Sequence, residues 1–73
     1  MTTKDDVRKI WLTETAIWVE LNNGRQGCEQ FSDYAPLAVA NKQARSEYEV
    51  SYLGIHWPKL DEDLSFDGFF VKI

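Results

Sequence analysis

The stretch Ala16–Leu21 constrains the fold more than any other part of the chain. Its apolar side chains fall on alternate positions, and a strand directs successive side chains to opposite faces of a sheet. The pattern predicts a half-buried strand with one aliphatic face, which needs partner strands and a covering layer. One face would carry Ile17, Val19 and Leu21, and the other Ala16, Trp18 and Glu20.

Partner strands are predicted on both sides of this one. An alternating pattern over residues 7–12 precedes it, and Thr13-Glu14-Thr15 supplies the turn between them. Asn22-Asn23-Gly24 follows it, and Asn and Gly accept the positive φ that tight hairpin turns require. A third strand over residues 25–31 is only weakly predicted, because neither of its two faces carries apolar side chains before Phe31. Its pairing is left open.

The middle of the chain has the signals of two short helices. Ser32 or Asp33 offers an N-cap, and Pro36 suits a first helical turn, where its missing N–H is not needed. Asn41 is predicted to cap a second helix over residues 42–47.

The last part of the chain is predicted to begin as one extended segment over residues 50–57. Ile55 and Trp57 share one side of it, and Pro58 ends it because proline has no N–H for a sheet. The apolar positions beyond the proline suggest a turn or short helix packed back onto the sheet; they are Leu60, Leu64 and Phe69.

The element order predicts a two-layer α+β protein. It would have a curled antiparallel sheet of about four strands, two short helices and a short C-terminal helical tail. We expect a single domain over residues 1–73, with residues 1–5 frayed.

Composition narrows the class of function. The 73 residues carry 12 acids and 8 bases, a net charge of −4, with no basic run, so direct binding of nucleic acid is disfavoured. No apolar run is long enough for a membrane span, and the first residues lack a signal-peptide core. One cysteine, Cys28, forms no internal disulfide and no CxxC zinc pair. These features predict a cytoplasmic protein without a cofactor.

The most specific motif is Gly54-Ile55-His56-Trp57-Pro58-x-Leu60-Asp61-Glu62-Asp63-Leu64-Ser65. The weaker segments that accompany it are Val7-x-x-Ile10, Ile17-Trp18-Val19-Glu20-Leu21, Asn23-Gly24 and Ser32-Asp33-Tyr34-x-Pro36-x-Ala38. Together they resemble the domain-of-unknown-function 2442 family, a family of small bacterial proteins, over essentially the whole chain. The chain departs from that family's pattern at Gly27-Cys28-Glu29-Gln30.

The resemblance implies a small α+β fold with a curled antiparallel sheet and helices on one side. It implies no catalytic residue, since the family has no established activity. It also implies a place in a paired, toxin–antitoxin-like system.

His56, with Asp61, Glu62 and Asp63, comes nearest to a metal or acid–base site. A histidine beside carboxylates can hold a divalent ion or relay a proton. No second histidine or cysteine completes a ligand set, so the alternative is favoured: His56 packs at a strand end and the acids are solvated turn residues. We expect no enzyme, with a small ligand- or metal-binding protein as the alternative function.

Two other constellations are weaker. Cys28 with His56 as base has no residue clearly placed to orient the histidine, and a lone cysteine is usually a small buried or half-buried residue. Ser65 with His56 and Asp61 is weaker still, because no nucleophile-elbow motif surrounds the serine. The second is a base-stacking platform, as in an accessory regulator that makes weak contact with nucleic acid. The negative net charge of the chain disfavours this hypothesis. Its residues would be Trp11, Trp18, Arg8, Lys9 and Arg25.

The favoured hypothesis is a protein–protein interaction surface on the outer sheet face, made by Lys9, Trp11, Trp18 and Glu20. Large aromatics on an uncovered face are typical of self-association or of a protein partner. The acidic segment 61–67 would be available to a basic partner. In the alternative, the C-terminal tail half covers both tryptophans through Phe66, Phe69 and Phe70. We expect a homodimer or the small subunit of a paired system.

Overall fold

The structure, a computed structural model, describes residues 1–70 and contains two three-stranded antiparallel sheets. The first sheet consists of β1 (Val7–Leu12), β2 (Ala16–Leu21) and β3 (Gln26–Gln30), in that order. The second consists of β4 (Glu49–Val50), β5 (Gly54–Trp57) and β6 (Glu62–Ser65). The α+β class is confirmed, but the prediction of one sheet with about four strands is wrong.

The two turns of the first sheet form where the sequence predicts them. The Thr13 backbone N–H donates to the Ala16 carbonyl at 2.9 Å, and the Thr13 hydroxyl accepts from the Ala16 N–H at 3.1 Å. Gly24 has a φ of 89°, which L-residues rarely adopt, and its N–H donates to the Leu21 carbonyl at 2.9 Å. Local turn chemistry therefore sets both hairpins.

The third strand, left open by its polar sequence, forms and pairs with β2. Trp18 lies opposite Cys28, and Val19 lies opposite Gly27. Gly27 leaves room for the chain near Phe69, because a Cβ at this position would collide with the Phe69 carbonyl oxygen. The missing apolar residue at this position is thus a packing requirement.

Two short helices follow, α1 (Ala35–Ala38) and α2 (Lys42–Ser46). Asn41 caps α2 as predicted, with its side-chain oxygen accepting from the Ala44 N–H at 2.8 Å. Proline lies in the first turn of α1, also as predicted. The N-cap prediction for Ser32 or Asp33 is wrong, because both belong to a 3-10 turn over Phe31–Asp33 and Tyr34 is the capping residue.

The predicted single strand over residues 50–57 is instead a hairpin. Ser51 donates its N–H to the Gly54 carbonyl at 2.8 Å and closes a turn between β4 and β5. The predicted helical tail is also wrong in part. Residues 62–65 form β6, reached through Asp61 at a φ of 51°, and only Asp67–Phe69 forms a 3-10 turn. This strand was not predicted because acidic residues dominate its sequence. Its one apolar residue, Leu64, lies opposite Ile55.

One hydrophobic core joins the two sheets and α1. The predicted alternation of β2 is confirmed, since Ile17 and Val19 are 0% exposed. Their covering layer is the second sheet together with the aromatic turns, and not helices alone. The buried cluster comprises Ile17, Val19, Leu21, Phe31, Leu37, Ile55, Trp57, Leu64, Phe66 and Phe69.

Arg45 of α2 holds this side of the molecule together. Its guanidinium donates to the carbonyl oxygens of Leu37 at 2.9 Å, Glu14 at 3.1 Å and Ala38 at 3.2 Å. It also lies 4.4 Å from the centre of the Phe31 ring, a cation–π geometry. One side chain thus connects both helices to the β1–β2 turn.

Candidate functional site

The outer face of the first sheet carries two rows of side chains, which we call the tryptophan face. The strand register aligns Trp11, Trp18 and Cys28 in one row and Lys9, Glu20 and Gln26 in the next. All six lie opposite the aliphatic side of β2, because side chains alternate along a strand. The structure therefore brings together the four residues predicted for the interaction surface: Lys9, Trp11, Trp18 and Glu20.

Trp11 and Trp18 form a cross-strand stack. Their ring centres lie 5.8 Å apart, and the ring planes differ by 11°. The Lys9 ammonium lies 5.1 Å from the centre of the Trp11 ring. Offset stacking and a cation–π contact hold both indoles in place, while each stays half-buried. The result is a preordered aromatic surface, which loses little side-chain entropy on contact.

Glu20 is also fixed in place on this face. One carboxylate oxygen pairs with Arg8 at 3.3 Å, and the other accepts from the Gln26 amide at 2.7 Å. Arg8 additionally donates to the Asn22 carbonyl oxygen. The polar residues beside the tryptophans are thus ordered by bonds within the face.

The C-terminal aromatics cover only one border of the tryptophan face. Phe66 and Phe69 are buried in the core, at 0% and 1% exposure, and so lie on the aliphatic side. Phe70 lies at the β3 border, where Arg25 contacts its ring at 5.2 Å and its carbonyl oxygen at 3.2 Å. A shallow groove of about 310 Å³ separates Phe70 from Trp18. Of the described tail, Phe69 and Phe70 line this groove, and Phe69 is otherwise buried in the core.

His56 is paired with only one of the acids predicted to surround it. Its Nδ1 lies 2.5 Å from the Asp63 carboxylate, across the β5–β6 pair. Glu62 lies opposite Trp57, one position along β6 and therefore on the other face, and Asp61 occupies the turn. No group of three metal-ligating side chains occurs in residues 1–70. The histidine and Asp63 form a pair, without the rest of the expected set.

Two carboxylates of the acidic segment 61–67 already bind partners within the chain. The Asp67 carboxylate accepts from the Thr2 backbone N–H at 2.6 Å, and this hydrogen bond lowers the pKa of Asp67. Asp63 contacts His56, as described above. Cys28 and Ser65 make no hydrogen bond with His56 within the described part of the chain; Ser65 instead accepts from the Gly68 N–H at 3.2 Å.

Glu29 and Tyr34 form a hydrogen-bonded pair that the sequence pattern did not predict. Glu29 lies opposite Ile17 on the buried face and is only 8% exposed. The Tyr34 hydroxyl donates to its carboxylate at 2.6 Å. The sequence shows that Glu29 alternates with its neighbours in residues 26–30. The face on which Glu29 lies can be assigned only once β3 is known to pair with β2.

The Tyr34 phenol is expected to titrate far above the usual tyrosine range. The hydrogen bond to Glu29, aided by burial and by repulsion from that carboxylate, raises the pKa of Tyr34 to about 12. Because the unfolded chain loses this proton first, at about pH 10, folding stability from this group is lost as the pH rises from about 10 towards 12. Tyrosine Cζ chemical shifts measure the phenol pKa. Urea unfolding should give a lower free energy of unfolding at about pH 11 than at about pH 9.

Glu29→Gln is the matching control for this titration. It removes the acceptor charge and should move the Tyr34 pKa down towards about 10. An unchanged pKa in this variant would show that the carboxylate is not the cause.

In the part of the chain from residue 1 to 70, no helix is long and apolar enough to cross a membrane. Comparison with curated proteins and with solved structures finds no match. The family described as "Protein of unknown function (DUF2442)" matches residues 7–73. Since this match covers nearly the whole chain, the chain belongs to the DUF2442 family.

Proposed function

We propose that this chain is a non-enzymatic protein–protein interaction module, and that a second copy of the chain binds its tryptophan face. The observation that carries the proposal is the Trp11–Trp18 stack, two large ordered aromatic rings on a face that the core does not use. Tryptophan is among the residues most enriched at interface centres. A cytoplasmic paired system remains a wider proposal, which the family resemblance suggests.

The strand register favours a second copy as the occupant. Trp11 is the cross-strand partner of Trp18, and Lys9 is that of Glu20. A two-fold axis parallel to the strands, between β1 and β2, would exchange the members of each pair. It would place Trp11 of one copy on Trp18 of the other, and Lys9 on Glu20. Such an arrangement would set ring against ring and base against acid, as a self-complementary isologous interface requires.

The charge on this face supports the same occupant. Arg8 and Lys9 face a single acid, Glu20, whereas the chain as a whole carries −4. Two copies can therefore meet here without bringing their acidic surfaces together.

Trp18→Glu is expected to weaken self-association by at least about 25-fold, because hot-spot residues contribute about 2 kcal/mol or more and each 1.4 kcal/mol is tenfold. Sedimentation velocity over a concentration series measures the dissociation constant, and circular dichroism checks that the variant is folded. Tyr52→Glu is the control, since it makes the same kind of change at a ring that is 58% exposed in the turn between β4 and β5. A wild-type chain that stays monomeric at every concentration would contradict the second copy as occupant.

A further inference from the structure

A groove between the β1–β2 turn and α2 has the size and charge of a ligand site. Its volume is about 480 Å³, within the range of about 300–1,000 Å³ that is common for small-molecule sites. Leu12 and Phe31 supply apolar wall, and polar groups stand around them. The polar lining includes Glu14, Lys42, Arg45 and Ser46. This groove shares no residue with the tryptophan face.

The positive charges of this groove have no carboxylate partner within residues 1–70. Neither Lys42 nor Arg45 takes part in an ion pair there, although the chain has an excess of acids. The Arg45 contacts are with three carbonyl oxygens and the Phe31 ring, all of them neutral groups. Those bonds use three of the five guanidinium N–H donors, so two remain for an anion.

Arg45 is also held in a fixed position, which matters for recognition. Its three carbonyl contacts come from α1 and from the β1–β2 turn, and its guanidinium lies over the ring of Phe31. A guanidinium that is already ordered loses less entropy when it binds a carboxylate than a free arginine does.

We infer that this groove binds a small organic acid, a monocarboxylate with an apolar aromatic or branched body. The carboxylate would contact Lys42 and the free N–H groups of Arg45, and the apolar body would lie against Leu12. Two cations and one acid, Glu14, leave the lining with one positive charge, which a single carboxylate neutralises. The charge of the lining therefore favours an acid with one negative charge over a base or a dianionic phosphate monoester.

Phenylacetate is a suitable probe, with phenylacetamide as its neutral isostere. Titration into the ¹⁵N-labelled chain should shift the amide signals of Thr13, Lys42 and Ser46, with phenylacetate binding at least about fivefold more tightly than the amide. Lys42→Ala should weaken phenylacetate binding by about two- to fivefold, and Glu14→Gln should strengthen it by a similar factor. Arg45 is left intact because its carbonyl bonds connect the helices to the turn.

Lys59→Ala is the matched control, since Lys59 is an exposed lysine that pairs with Glu47 outside the groove. It should leave phenylacetate binding unchanged. Equal binding of acid and amide, an equal loss in Lys59→Ala and Lys42→Ala, or shifts confined to the tryptophan indoles would each overturn the inference. So would the absence of any shift at millimolar phenylacetate. None of these results depends on whether the chain dimerises.

Discussion

Trp57→Ala is expected to remove a large part of the chain's free energy of unfolding. Trp57 is 0% exposed, its indole N–H donates to the Arg45 carbonyl at 2.9 Å, and its ring lies 6.0 Å from that of Tyr48. Truncating a buried tryptophan costs about 3–5 kcal/mol, through lost burial and the cavity that remains. A domain of 73 residues has only about 4–11 kcal/mol of stability to lose. Urea unfolding followed by far-UV circular dichroism measures the difference.

Tyr52→Ala is the control for this loss. Its ring is 58% exposed, so its removal should change the free energy of unfolding by no more than about 0.5 kcal/mol. If Trp57→Ala unfolded at the same urea concentration as Tyr52→Ala, the indole would not be the centre of the core.

Gly54→Ala is expected to cost about 2–3 kcal/mol, although it adds a single methyl group. A Cβ at Gly54 would collide with the Leu64 carbonyl oxygen and approach the Ser65 Cα to 3.0 Å. Both atoms belong to the backbone of β6, so the β5–β6 pair itself would have to move. Thermal and urea unfolding of the purified variant give the size of the effect.

Gly68→Ala is the matched control for Gly54→Ala. A Cβ there would lie 3.4 Å from the Glu29 carboxylate, an ordinary contact distance, and 3.3 Å from the Ser65 hydroxyl, which is the end of a side chain that can shift. Its cost should stay below about 1 kcal/mol. Equal losses in the two variants would mean that the close β5–β6 approach is not what requires the glycine.

The Gly54 prediction also gives a physical reason for part of the motif by which the chain resembles its family. Gly54 admits the neighbouring strand, while Ile55 and Trp57 face the core at 1% and 0% exposure. Leu64 completes the strand pair from the other side. These residues are explained by packing alone, so the motif supports the fold without pointing to a reaction.

The candidate surface could be predicted from the sequence because it follows from the regular geometry of the strand backbone. Side chains alternate along any strand, so the aliphatic positions of β2 predicted where Trp18 would lie. The Trp11–Trp18 stack was not accessible, because it depends on the register between two strands. A shift by one residue would have turned Trp11 towards the core.

The amino-acid sequence by itself determined the α+β class, both turns of the first sheet, the cap at Asn41 and the buried side of β2. The turns and the cap are set by the local sterics and hydrogen bonding of a few neighbouring residues, whereas the buried side of β2 and the fold class follow from the spacing of apolar positions along the chain. Only the tertiary structure decided that residues 62–65 form a strand, that Glu29 lies buried against Tyr34 and that Arg45 connects three segments. Those features depend on partners that are distant along the chain or belong to other elements, and no local pattern of polar and apolar residues encodes such a contact.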